Sequence, residues 1–217
     1  MAVKTAPDIR ERELFAQGIW PVAGVDEAGR GPLAGPVVAC AVVLPPGSVI
    51  EGVYDSKKIN PPRRAELAGK IKSAALAYAF GIIEPREIDR VNILQAAMKA
   101  MEDAVYAVQS FLGEPLRYVL VDGNRLPALP CPAEYLIKGD HRCHIIAAAS
   151  ILAKEARDTI MRDIHRLYPQ YGFDEHKGYP TSAHFDALKR YGPCPEHRMT
   201  FRGVNNSELI VRSKENE

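Results

Sequence analysis

Three short apolar runs in this chain end on carboxylates, and that pattern constrains the fold more than any other feature. Ile19 to Val25 runs into Asp26-Glu27, Tyr118 to Val121 into Asp122, and Glu134 to Ile137 into Lys138-Gly139-Asp140. Apolar runs of this length, bounded by turn residues, read as strands. In α/β folds, sites gather beyond strand ends. Gly29-Arg30-Gly31 follows the first acid pair at once, and its glycines permit positive φ and close backbone approach to a ligand.

Further elements follow from pattern. Strands are expected over about 19–26, 35–44 and 77–83, with Val37, Val38, Val42 and Val43 giving β-branched density to the second. Their connections read as short, so these strands should pair antiparallel. Pro61-Pro62 opens a helix over about 62–75. Ile93, Ala97, Ala100, Met101, Ala104 and Val108 recur at helical spacing within one long helix over about 86–111. A further helix spans about 142–167, with Ile145, Ala149, Leu152, Ala156, Ile160 and Ile164 on one face. Thr181 caps a helix to about Arg190, and a turn of helix is expected near Ser207 to Arg212. The order β, β, β, α, β, β, α, α specifies an α/β fold, a mixed central sheet with helices on its faces.

The chain has 217 residues, 47% hydrophobic and 25% charged, enough for one domain with a full core. No apolar run approaches the roughly 20 residues of a membrane span, and Met1 to Gln17 lacks the apolar stretch of a signal peptide. Cys40, Cys131, Cys143 and Cys194 show no zinc spacing and read as reduced thiols of a cytoplasmic protein. Net charge is +1, which by itself names no partner. All six histidines lie beyond residue 140, however, together with Arg157, Arg198 and ten other Lys or Arg residues. That set reads either as a basic, phosphate-binding face or as an ordinary mixed helical surface, since Asp158, Asp163 and Glu196 are interspersed.

Read singly, Asp122-Gly123 fits a turn and Asp140 fits an N-cap. Read together, the acids say more. Carboxylates within about 4 Å of one another repel by roughly 4 kcal/mol per pair at an effective dielectric near 20, so a cluster needs protons or cations. Oxygen ligands without a paired Cys or His suit Mg²⁺ or Mn²⁺. Two such ions are a known device for phosphodiester hydrolysis, one activating water and one stabilising the leaving oxygen. Glu27 raises a geometric objection, because adjacent strand residues point to opposite faces. It shares a site with Asp26 only if the strand end is bulged or turning.

The chain resembles ribonuclease HII, a type 2 ribonuclease H, from about Ile19 to Val204. The resemblance rests on Gly24-Val25-Asp26-Glu27-Ala28-Gly29-Arg30-Gly31-Pro32, Asp55-Ser56-Lys57-Lys58, Val121-Asp122-Gly123-Asn124 and Lys138-Gly139-Asp140. It continues in Ala148-Ala149-Ser150-Ile151-Leu152-Ala153-Lys154, Tyr171-Gly172-Phe173 and His176-Lys177-Gly178-Tyr179-Pro180-Thr181. It implies a ribonuclease H-like fold with a helical C-terminal extension, and three parts: an N-terminal segment (1–18), a catalytic domain (19–204) and a tail (205–217). It also implies a metal cage of Asp26, Glu27, Asp122 and Asp140, and Mn²⁺ or Mg²⁺ as cofactor. The implied substrates are RNA–DNA hybrids and duplex DNA with embedded ribonucleotides. Cleavage falls 5′ to the ribonucleotide and leaves 3′-hydroxyl and 5′-phosphate ends.

By the same resemblance, Gly29, Arg30 and Gly31 read the ribose 2′-hydroxyl and Tyr179 packs on the following deoxyribose. Lys57, Lys58 and Lys177 would then anchor phosphates. A monomer is expected. His144 stands where relatives often carry an acid and reads as a surface histidine, with support of the site as the alternative. Thr200 replaces an expected Ser and keeps the hydroxyl. Two rival readings make different predictions. A glycosidase using the Asp26/Glu27 pair would work in EDTA, and a non-catalytic hybrid-binding module would lack a metal ligand.

Overall fold

A computed structural model describes residues 4–205. Helix α1 (Ile9–Ala16) precedes strands β1 (Val22–Ala28) and β2 (Val37–Val43). Then come α2 (Pro61–Ala74), β3 (Ala77–Ile83), α3 (Pro85–Val91), α4 (Ile93–Leu112), β4 (Tyr118–Asp122) and β5 (Ala133–Leu136). Short α5 (Gly139–Arg142) leads into α6 (His144–Leu167), followed by α7 (Phe173–His176) and α8 (Ser182–Tyr191). The expected turn of helix near Ser207 to Arg212 lies outside the described residues.

The strands form one mixed sheet in the order β3-β2-β1-β4-β5. β1, β2 and β3 pair antiparallel, as expected, whereas β1, β4 and β5 run parallel. The β2–β3 connection is not short, because it carries α2. Alternation along the strands sends residues to two cores. Ala23, Val25, Ala39, Ala41, Val119 and Val121 meet the Ala96–Val108 stripe of α4 on one face. Val22, Cys40, Val42 and Leu120 meet α2 and α6 on the other. The helices lie close. A Cβ at Gly24 would strike the backbone of Ile145, and one at Gly81 the backbone of Ala100.

Helical spacing continues unbroken from residue 86, yet the expected single helix is two. Asn92, at φ 70°, separates α3 from α4. Its Oδ1 accepts the Leu94 and Gln95 N–H groups at 3.0 and 3.1 Å, so a side-chain cap replaces the missing turn. Asp89, in α3 before the break, meets the C-terminal segment. Asp89 accepts the Met199 and Thr200 N–H groups and the Thr200 hydroxyl at 2.6–3.0 Å. The hydroxyl retained at Thr200 is therefore used. Thr181 caps α8 as expected, accepting the His184 N–H at 3.3 Å.

His144 is a correction. It is buried rather than a surface residue, and its Nε2 accepts the Ile50 N–H at 3.0 Å. Burial lowers its pKa from the ordinary histidine value, so it serves as a neutral acceptor at the start of α6. Beside it, Glu11 of α1 is also buried, and its Oε1 accepts the Ile145 N–H at 2.7 Å. Helix N-termini leave such donors without partners. The N-terminal segment thus caps the helix that carries much of the site, with Leu14 seated in the α6-side core.

All four cysteines are free. Among the described residues no helix is long and apolar enough to cross a membrane. Replacing Glu11 by Ala strands a buried N–H, at a cost of about 1–3 kcal/mol. Thermal unfolding should read that loss, at roughly 2–4 °C of Tm per kcal/mol for a domain of this size. An unchanged midpoint would mean that α1 does not cap α6.

Candidate active site

β1 and β4 run parallel with Val25 opposite Val121, so the next residues, Asp26 and Asp122, stand side by side at the strand ends. Asp122 ends β4. Beyond that level β1 has no partner on its β4 side, and the Glu27 N–H is taken by Asp26 Oδ1 at 2.7 Å. β1 keeps regular pairing with β2 through Ala28. No bulge brings Glu27 round, contrary to the requirement set from the sequence. Instead a cleft of about 590 Å³ wraps the strand end, and Asp26, Glu27 and Asp122 all line it. Ile93, at the start of α4, lines the Glu27 side, while Ser150 and Lys154 of α6 line the other.

Asp140 reaches this group from α5. The Asp122 Oδ1 accepts the Gly139 N–H at 2.6 Å, which ties the start of α5 to the end of β4. Asp140 is buried and lies beside His141 (3.8 Å) rather than on the cleft wall. His141 Nε2 lies 3.1 Å from Asp55 Oδ2, and its Nδ1 2.9 Å from the Tyr54 hydroxyl. One ligand-type atom from each of Asp55, Asp140 and His141 lies within 4.8 Å of the others.

The electrostatics follow from this crowding. Burial first, then Glu27 and Asp122, raises the Asp26 pKa well above the usual carboxylate value. Glu27 is raised by burial, against the Arg30 guanidinium at 3.2 Å, which lowers it. Asp140 is raised by burial and then by Asp122. Oxygen donors that resist ionisation together are a fit for a hard divalent cation, whose charge removes the penalty. Asp26, Glu27 and Asp122 line one cleft, and Asp140 lies close enough to Asp122 to feel its charge, so the set has the donor chemistry such a cation takes.

The loop after β1 closes one side of the cleft. Gly29 sits at φ 100°, and a Cβ there would collide with Arg157, so no other residue fits. Gly31 faces Tyr179; a Cβ on it would meet the ring at 3.7 Å. Gly29, Arg30, Gly31 and Tyr179 all line the cleft. Lys154 Nζ lies 5.7 Å from the Tyr179 ring centre, and Asp158 Oδ1 accepts from it at 2.7 Å.

The three predicted lysines separate. Lys57 lines the cleft. Lys58 turns to Asp55 at 3.7 Å. The Lys177 ammonium bonds to the Asp174 carbonyl, away from the cleft wall. The basic face needs correcting as well, because Arg157 and Arg198 are wholly buried. Ser56, Ser150 and Lys154 also line the cleft; they stand in the quoted motifs, which assign them no role. Asp55 stands in a quoted motif, but its pairing with His141 emerges only once the chain is folded.

A sequence model described as Ribonuclease HII matches residues 23–204. Ribonuclease HII of Vibrio vulnificus (strain YJ016) is 48% identical over 209 residues, 95% of this chain and 98% of that one. Ribonuclease HII of Caldanaerobacter subterraneus subsp. tengcongensis is 50% identical over 191 residues, 88% of this chain and 78% of that one. The crystal structure of ribonuclease H2 from Pyrococcus horikoshii OT3 superposes with a TM-score of 0.71 at 27% identity, covering 88% of this chain and 98% of that one.

The sheet and its flanking helices are therefore those of a ribonuclease H-like nuclease. Within that class the chain belongs to the ribonuclease HII family. It is a metal-dependent endoribonuclease acting on the RNA of RNA–DNA hybrids.

Crowding makes a prediction about stability. Asp26 binds its proton more tightly folded than unfolded. Its contribution to metal-free stability is thus fully present below the unfolded carboxylate pKa and is lost as pH rises through the raised folded one. In EDTA at neutral pH, Asp26→Asn should be more stable than the parent, and the gain should vanish below the unfolded carboxylate range. Urea titrations at both pH values check this; a destabilised variant at neutral pH would contradict it.

Proposed function

We propose that this enzyme cleaves duplex DNA on the 5′ side of an embedded ribonucleotide, leaving 3′-hydroxyl and 5′-phosphate ends. Asp26, Glu27, Asp122 and Asp140 hold two divalent ions, Mn²⁺ or Mg²⁺. Bound there, the ions supply water activation and charge relief at the departing 3′-oxygen. The chain's own residues position the strand. One observation carries the reading: acids from separate strand ends share a single cleft with the Gly29-Arg30-Gly31 loop and Tyr179.

The 2′-hydroxyl is what separates RNA from DNA at one nucleotide, and a glycine-flanked backbone is small enough to meet it. The Tyr179 ring, across from Gly31, packs on the next deoxyribose and leaves no room for a hydroxyl there. Lys57 meets a phosphate, setting register without reading bases. Lys58 and Lys177 contribute at the margins of the bound duplex. The enzyme is taken to work as a monomer.

A labelled duplex with one ribonucleotide, assayed with and without Mg²⁺ or Mn²⁺, tests this. Cleavage should be lost in EDTA and should map to the 5′ side of the ribonucleotide. Asp26→Asn should lose at least about a thousandfold in rate, the equivalent of roughly 4 kcal/mol, while still binding the duplex. Near-normal cleavage by that variant, or cleavage in EDTA, would refute the assignment.

A further inference from the structure

Arg198 has no place in the acid cleft, yet it is wholly buried and all its described hydrogen bonds from the side chain go to backbone carbonyls. Its Nη2 donates to Gly29 O at 2.6 Å and to Gly35 O at 2.8 Å. Its Nη1 donates to Pro32 O at 2.8 Å and to Arg30 O at 3.2 Å. Its Nε donates to Gly35 O at 3.0 Å. Five bonds thus gather four carbonyls of one loop around a single guanidinium, with the Phe201 ring 5.0 Å from its carbon. Its own N–H donates to Leu33 O at 2.8 Å, and Asp89 fixes the next two residues. Arg157 braces the other side, donating to Ala34 O, Pro36 O and Lys177 O at 3.0–3.1 Å.

Peptide geometry gives this clamp a consequence. The peptide bonds within this loop are trans, so each C=O points opposite to the N–H of the following residue. With the Gly29 and Arg30 carbonyls turned in to Arg198, the Arg30 and Gly31 N–H groups must turn away from it, on the side where the loop lines the cleft. Among the described residues nothing on the chain accepts either N–H. Two adjacent, fixed donors without partners make a site for an oxygen lone pair.

We propose that Arg198 is the positioning residue for ribose recognition, because it aims the Arg30 and Gly31 N–H groups at the 2′-oxygen of the bound ribonucleotide. This rests on the reading of the loop given above. A lysine keeps the charge but offers a point-like ammonium rather than a planar fork, and cannot span four carbonyls. In Arg198→Lys the two amides lose their fixed direction while the phosphate-facing residues stay unchanged.

The test compares binding of the full chain, in EDTA, to a duplex with one ribonucleotide and to the all-DNA duplex of the same sequence. The intact chain should prefer the ribonucleotide duplex by tenfold or more. Arg198→Lys should lose most of that preference, with affinity for the all-DNA duplex changed less than twofold; a merely structural role would weaken both alike. A preference retained by the variant, or an equal loss on both duplexes, overturns the role of Arg198 and leaves the loop reading standing. An intact chain with no preference overturns both. Should the variant not fold, amide exchange in the intact chain decides. The Arg30 and Gly31 amides should exchange freely alone and be protected by the ribonucleotide duplex only. Protection in the free chain would overturn the clamp.

Discussion

Mutual repulsion among carboxylates is the constraint on which this structure depends. Asp26 and Asp122 are set side by side by parallel pairing of β1 and β4, Glu27 follows on the same strand, and Asp140 is tethered through Gly139 to the end of β4. Left to themselves these groups would separate or stay protonated. The fold prevents separation by packing α4 and α6 tightly on either face, with glycines where the approach is closest. What remains is a crowded site whose repulsion a divalent cation would relieve. Such a site sacrifices stability for function, a common arrangement in enzymes.

The second half of the site is built on the opposite principle. Around the Gly29-Arg30-Gly31 loop the buried charges are cations, Arg157 and Arg198, satisfied by backbone carbonyls rather than by acids. A buried guanidinium would be costly alone, but its fork can serve several carbonyls at once. The loop is held rigidly while its glycines stay free of side chains on the ligand side. The acids proposed to hold metal and the amides proposed to read the sugar thus sit on neighbouring residues of one chain segment, each held by a different kind of interaction.

Much of this was legible from the sequence, for physical reasons. Strand ends announce themselves because apolar runs stop abruptly, so Asp26, Asp122 and Asp140 could be placed before any coordinates. Alternation in the strands and the α4 stripe gave the layers. The period of two misled for Glu27, since it describes faces along a strand and not a cleft that wraps the strand's end. Asn92 breaks a helix within an uninterrupted apolar period, a feature only its positive φ reveals. His144, Arg157 and Arg198 look like surface residues because burial of a polar group depends on distant partners: the Ile50 amide for one, loop carbonyls for the others. Lys58 and Lys177 could not be separated from Lys57, because the direction of a flexible side chain is set by local acids and carbonyls.

The central claim is that crowded, proton-favouring carboxylates form the cation site. Calorimetric titration of Mn²⁺ into the full chain, repeated in buffers of different ionisation enthalpy, reads it directly. Deprotonation of the ligands on binding must appear as released protons. The account predicts proton release that grows as pH is lowered from 8 toward 6, and that is diminished in Asp26→Asn. Binding with no proton release at any pH, or binding and release unchanged in that variant, would contradict it.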